Sequence, residues 1–420
     1  MSDELAHVVW DIYRRAVERV LPETVISRGV RLQRDNRLEI DRWKFDISDR
    51  PVHVIAVGKA AGEMAVAVEL ILNERLTDGI VVTKSLGNNL KLRSRVLLGS
   101  HPVPDERSLE AGDAVLRFAR DIPVGSLVLC LISGGGSALL EVLRPGVRLE
   151  DLQQTTRALL NAGASIHELN AVRARMSEVK AGGLLAQLGH VEVVNLIISD
   201  VLGDGLATIA SGPTVPRAMT EPAEDILRRY GIDRSLPEDD GNQPSTDPRT
   251  LILSNLSMAI DAACEAAREH GFEPAVLSRS LAGEARHVAT TLAGIVADTG
   301  AGTTTFPRKS CIIAGGETTV TVRGDGTGGR NTECALAAAL RLQGVDDVAM
   351  GCLATDGDDA ETNVAGGIVT GATITNENVQ EARHALDRND TFTFLNSVGA
   401  AWGTGPTGTN VNDLVIGIVG

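Results

Sequence analysis

Five short apolar runs each end in a tight turn of small or acidic residues, and this repeated punctuation restricts the fold more than any other feature. Residues 54–57 run into Gly58-Lys59. Residues 127–132 run into Ser133-Gly134-Gly135-Gly136-Ser137. Residues 194–198 run into Ser199-Asp200, residues 312–314 into Gly315-Gly316-Glu317-Thr318, and residues 348–353 into Ala354-Thr355-Asp356-Gly357. Between the early runs lie segments rich in helix formers, and strands alternating with helices predict a mostly parallel sheet covered on both faces. Such sheets bind ligands outside the carboxyl ends of their strands. The turns there offer bare backbone N–H groups, a lysine, hydroxyls and carboxylates, a set suited to phosphate and metal rather than to acyl transfer or redox chemistry.

The spacing predicts helices over residues 4–21, 60–72, 109–120, 149–162, 169–179, 257–270 and 332–342, the sixth capped by Asn255 or Ser257. It predicts strands over 54–57, 80–83, 127–132, 191–198, 310–314, 319–322, 348–353 and 414–419. A proline-rich, acidic stretch at 235–250 without apolar periodicity is the expected boundary. The expected domains are therefore 1–240 and 249–420. A net charge of −15 leaves no basic stripe for a nucleic-acid backbone or an acidic membrane. No run reaches the ~18 apolar residues of a membrane span. The N-terminus lacks the basic-then-apolar pattern of a signal peptide. Cys130, Cys264, Cys311, Cys334 and Cys352 have no metal or redox spacing and read as buried small hydrophobes. A cytoplasmic protein is expected, a monomer or homodimer with small-molecule partners, no nucleic acid and no membrane.

The turns differ in what they could hold. Gly58-Lys59 opens a helix, where free N–H groups and the dipole favour an anion and an unshared lysine is disfavoured. Three consecutive glycines at 134–136 cost backbone entropy, which is tolerated where a ligand such as polyphosphate must approach the main chain. Asp200, Asp204 and Glu317 are candidate Mg²⁺ ligands, since Mg²⁺ takes one or two carboxylates with phosphate oxygens and water. Asp200 or Asp356 could instead accept or orient a hydroxyl proton. Arg330, at a predicted helix start beside Asn331, would favour sharing a carboxylate or phosphoryl group through its planar fork. The turns at His101-Pro102 and Ser211-Gly212-Pro213 could line the same cleft. The histidines show no metal spacing, and the chain has neither a Walker A loop nor Gly-x-Gly-x-x-Gly.

Eight motifs in order, VGKAAGEMA, SGGGSALL, IHELNAVRARMSEVKAGGLL, ISDVLGDGLATIASGPTV, GGETTV, GGRNTECALA, ATDGDDAETNVAGG and GPTGTNVNDL, span nearly the whole chain. Together they resemble the class II glycerate kinases, the glycerate 2-kinase family with a MOFRL C-terminal domain, some members of which carry the older label hydroxypyruvate reductase. The resemblance implies a two-domain α/β protein. Its N-terminal domain would be a Rossmann-like three-layer α/β/α fold with a mostly parallel sheet. Its smaller C-terminal domain would be MOFRL-like, with the active site in the interdomain cleft. It implies ATP-dependent phosphorylation of D-glycerate at O2, with ATP and Mg²⁺. It places catalytic roles on Lys59 and Arg330, which with Asn331 would bind substrate. Asp200 and Asp356 complete the expected catalytic set. Ser133, Gly134, Gly135, Gly136, Ser137 and Gly212 are expected at the nucleotide, and Asp200, Asp204 and Glu317 at the metal. The chain has Thr332 where the family usually has Gln. An NAD(P)H-dependent hydroxypyruvate reductase and a non-catalytic sugar-phosphate-binding protein are the competing readings.

Overall fold

The computed structural model describes residues 2–85, 87, 91–216, 221–238, 247–403 and 405–420. The chain forms two compact units, one of Pro22–Leu253 and one of Met1–Leu21 with Ser254–Gly420. This division differs from the expected spans 1–240 and 249–420, and part of the expected boundary, 239–246, lies outside the described residues. The reason for the difference is the first helix, Ser2–Val20. Its Tyr13 side chain is fully buried and its hydroxyl donates to the Ala354 carbonyl at 2.7 Å. Thr409 donates to the Val20 carbonyl at 3.0 Å, so the helix belongs with the C-terminal unit.

In the unit of Pro22–Leu253, a small antiparallel sheet holds β1 (Val30–Leu32), β2 (Arg37–Ile40) and β3 (Trp43–Asp46). The main sheet holds β4 (Val52–Val57), β5 (Leu76–Thr83), β6 (Arg95–Leu98), β7 (Leu127–Ile132), β8 (Glu192–Ile198) and β9 (Arg249–Ser254), in the order β6-β5-β4-β7-β8-β9. From β6 through β8 every pairing is parallel. Every residue of β4 and β7 is buried, which is why these strands read as unbroken apolar runs rather than as alternations. Helix Glu106–Asp121 begins three residues before the expected start because Asp105 accepts from the Arg107 and Ser108 N–H groups. Helix Ile166–Met176 likewise begins earlier than predicted, behind a capping box between Ser165 and Glu168.

In the other unit, the sheet holds β10 (Glu273–Glu284), β11 (Ser310–Thr319), β12 (Val348–Ala354), β13 (Gly366–Thr370), β14 (Ala401–Trp402) and β15 (Asp413–Val419), in the order β10-β11-β15-β12-β13-β14. Only the β10–β11 pairing is parallel, so this sheet is mixed. The expected turn at Gly315-Gly316-Glu317 is absent, because β11 continues through it to Thr319, and residues 320–323 form no strand. The glycines serve close approach instead: a Cβ on Gly316 would lie 2.0 Å from the Leu281 carbonyl oxygen of β10. Helix Arg330–Leu342 packs into the core of this unit, with Cys334, Leu336 and Leu342 buried. All five cysteines are buried and free. Among the described residues no helix is long and apolar enough to cross a membrane.

Candidate active site

The carboxyl ends of β4, β6, β7 and β8 bring together Lys59, His101, the glycine turn and Asp200. Backbone bonds fix the two central turns to one another. The Lys59 N–H donates to the Gly134 carbonyl at 2.9 Å, the Ser133 N–H to the Val57 carbonyl at 3.0 Å, and the Ala60 N–H to Ser133 Oγ at 3.1 Å. This approach requires glycine at 58, where φ is +138° and a Cβ would lie 2.1 Å from Ser133 Oγ. A Cβ on Gly134 would lie 1.8 Å from Asp200 Oδ2. One on Gly135, at φ +80°, would lie 3.0 Å from Lys59 Cγ and 3.1 Å from His101 Cδ2. The Asp200 carboxylate, the lysine and the imidazole thus border the bare glycine backbone on different sides. Burial, then the Lys59 and Lys84 charges, push the His101 imidazole down to about 4. His101 is therefore neutral at neutral pH beside two cations, an electropositive setting for an anion.

The end of the glycine turn is also fixed. Ser137 and Ser211 share a 2.6 Å hydroxyl contact, and Ser211 donates to Asn170 Oδ1 at 3.0 Å. Ala210, Ser211 and Gly212 are successive left-handed residues at φ 51°, 60° and 59°, a strained run of the kind held in place by its surroundings. Gly212, expected at the nucleotide, donates its N–H to Ile209 and accepts from Gly182, each at 2.8 Å, so its backbone serves the turn. Asp204 sits in the loop after Asp200 at φ 54°, its N–H donating to the Val201 carbonyl at 3.0 Å.

In the unit of Met1–Leu21 with Ser254–Gly420, Arg330 opens helix Arg330–Leu342. Asp359 caps that helix by accepting from the Asn331 N–H at 3.0 Å, the Thr332 N–H at 2.8 Å and Thr332 Oγ1 at 2.8 Å. Arg330 grips Asp413 through Nε at 2.6 Å and Nη2 at 3.1 Å, while Nη1 donates to Glu317 at 2.5 Å. Burial opposes the Arg330 charge, but Asp413 and Glu317 outweigh it and hold the guanidinium protonated. Burial raises the Asp413 carboxyl to about 6 against the pull of Arg330. The planar fork is therefore pre-oriented by one carboxylate, with the exposed Glu317 on its remaining edge.

Three of the expected site residues have partners within this unit. Glu317, expected at a metal, is an ion-pair partner of Arg330. Asn331, expected at substrate, is buried, and its amide donates to Asp359 at 3.4 Å. The Asp356 carboxylate, expected in catalysis, accepts from the Asp358 N–H at 3.2 Å within its own loop. Among the described residues no three His, Cys, Asp or Glu side chains gather as a metal cluster. One or two carboxylates suffice for Mg²⁺ bound through phosphate oxygens, and Asp200, against a glycine backbone where a Cβ would collide, fits that role. From sequence His101 is expected only within a turn lining the cleft, and Asp359 and Asp413 carry no expected role. Asp413 directly precedes an apolar run, which was the signal available for it.

A family model described as a domain of unknown function, DUF4147, matches residues 8–240, and the MOFRL family model matches residues 310–413. The D-glycerate 2-kinase of Thermotoga maritima is 36% identical over 99% of this chain and 99% of its own. A protein of Agrobacterium vitis with the provisional name hydroxypyruvate reductase is 38% identical over 87% of this chain and 99% of its own. The crystal structure of the Thermotoga maritima glycerate kinase superposes with a TM-score of 0.87 at 35% identity, covering all of both chains. With both family regions in order and full-length similarity on this scale, the chain belongs to the class II glycerate kinases with a C-terminal MOFRL region.

Proposed function

We propose that the protein transfers the γ-phosphoryl group of ATP to O2 of D-glycerate, giving 2-phosphoglycerate and ADP, in the cytoplasm. The observation that carries this reading is the meeting of Lys59, His101 and Asp200 around a glycine turn at the carboxyl edge of a parallel sheet. Phosphoryl transfer asks a protein mainly for positioning and charge stabilisation, with little covalent chemistry. In this reading residues 133–137 cradle the nucleotide phosphates with backbone N–H groups and hydroxyls. Lys59 meets the charge of the migrating group, with neutral His101 beside it as a hydrogen-bonding partner. Arg330, its fork fixed by Asp413, takes the glycerate carboxylate or the phosphoryl group. Asp200 holds Mg²⁺, which when bound neutralises phosphate charge. Asp200 also borders the space where the accepting hydroxyl would be oriented.

The name of the Agrobacterium vitis relative raises the reductase reading. That chemistry uses a dinucleotide fingerprint of Gly-x-Gly-x-x-Gly, and the turn here is Ser-Gly-Gly-Gly-Ser. One assay separates the two. The purified protein should release ADP from ATP only with D-glycerate and a divalent cation. NADH loss with hydroxypyruvate, and no ADP with D-glycerate, would replace the kinase reading with the reductase.

A further inference from the structure

Behind the glycine turn, a buried lysine and a part-buried arginine converge on one backbone atom. Lys180 Nζ donates to the Ser137 carbonyl at 2.8 Å, and Arg173 Nη2 donates to the same oxygen at 3.1 Å. Lys180 also pairs with Glu141 at 2.9 Å, and the two side chains are 1% and 0% exposed. Ser177 donates its hydroxyl to Glu141 at 2.5 Å, which fixes the carboxylate. Burial depresses both cations, the Lys180 ammonium to about 8, with Glu141 opposing the shift in each. The buried Arg173 Nε has no hydrogen-bond partner among the described residues.

Stability alone does not account for this set. Two cations face one carboxylate, and the fully buried lysine among them carries a desolvation cost of several kcal/mol in effective terms that its pairing must offset. A neutral donor would satisfy the Ser137 carbonyl equally well. The arrangement does two things a neutral donor would not. It fixes the last peptide of the glycine turn with charge-assisted bonds. It also sets a fixed positive charge behind the turn, where it favours an anion in front.

We propose that Arg173 and Lys180, with Glu141, are positioning residues that hold the glycine turn and its field in register for nucleotide phosphates; this rests on the assignment of that turn to ATP. The test uses the full-length protein and measures the Kd of a non-hydrolysable ATP analogue by calorimetry, the KM of each substrate, kcat, and folding by circular dichroism. Arg173→Gln leaves the Lys180–Glu141 pair intact. Lys180→Met combined with Glu141→Gln leaves no buried carboxylate unpaired. Each folded variant should raise the analogue Kd and the KM for ATP about tenfold, the order expected for one charge-assisted bond, with the KM for D-glycerate within about twofold. Arg173→Lys should recover part of the Arg173→Gln loss, which a purely structural role would not produce. Folded Arg173→Gln with wild-type analogue affinity overturns the inference. Wild-type protein that binds no analogue overturns the nucleotide assignment itself, a separate and recognisable failure.

Discussion

Replacing Gly134 with alanine should remove catalysis while leaving the fold nearly intact. The added methyl would lie 1.8 Å from Asp200 Oδ2 and 2.3 Å from its Cγ, and no backbone atom is among its nearest neighbours. The carboxylate must therefore withdraw by roughly 1.5 Å, and misplacement of a reacting group by about 1 Å is enough to cost ~10²-fold in rate. The stability cost is small by comparison. Overpacking costs ~1–3 kcal/mol, partly offset by ~0.4–1 kcal/mol from the stiffer unfolded chain, so Tm should fall by only a few degrees. Steady-state release of ADP with D-glycerate, read beside a thermal melt, gives both quantities. A double-mutant cycle sharpens the test. If the methyl acts by moving Asp200, adding Gly134→Ala to Asp200→Ala should cost nothing further. Wild-type kcat in Gly134→Ala, or losses that multiply in the double variant, would refute the reasoning.

Lys59→Ala and Arg330→Ala should each lower kcat by ~10²-fold or more, as removal of transition-state donors does elsewhere, and near-normal kcat in either excludes that residue from the chemistry. Arg330→Lys should recover little, because an ammonium cannot reproduce the two-point grip on Asp413 seen at 2.6 and 3.1 Å; full recovery would make the fork irrelevant. Acid should destabilise the protein through His101: its folded pKa is lowered to about 4, so between pH 6.5 and 4 the unfolded chain binds the extra proton and stability falls as pH falls. Urea midpoints from pH 7 to 4.5 should drop less steeply in His101→Gln than in wild type, and equal slopes would contradict the shift.

How much of this could be read from the sequence depended on how local the cause was. The strands of the parallel sheet were legible because burial on both faces makes them unbroken apolar runs, as in β4 and β7. The turn after β7 was legible because consecutive glycines have few other uses. Gly315-Gly316 misled for the same reason: glycine marks turns, but here it admits the β10 backbone beside a continuous strand. The start of helix Ile166–Met176 is encoded locally in Ser165 and Glu168, a capping box three residues ahead of where apolar spacing alone places it. The partners of the polar residues were not legible at all. Asp359 lies 28 residues from Asn331, whose N–H it caps, and Asp413 lies 83 residues from the arginine it orients. Only the folded chain shows that Asn331 and Glu317 already have partners.

The most direct test of the account is the phosphorus NMR spectrum of the product made from ATP and D-glycerate. Phosphorylation at O2 places the phosphate next to a single methine proton, so the account predicts a new phosphomonoester signal split into a doublet, growing in step with ADP. A triplet from a neighbouring methylene would move the transfer to O3. No new phosphoester signal, with ATP unconsumed, would contradict the kinase reading altogether.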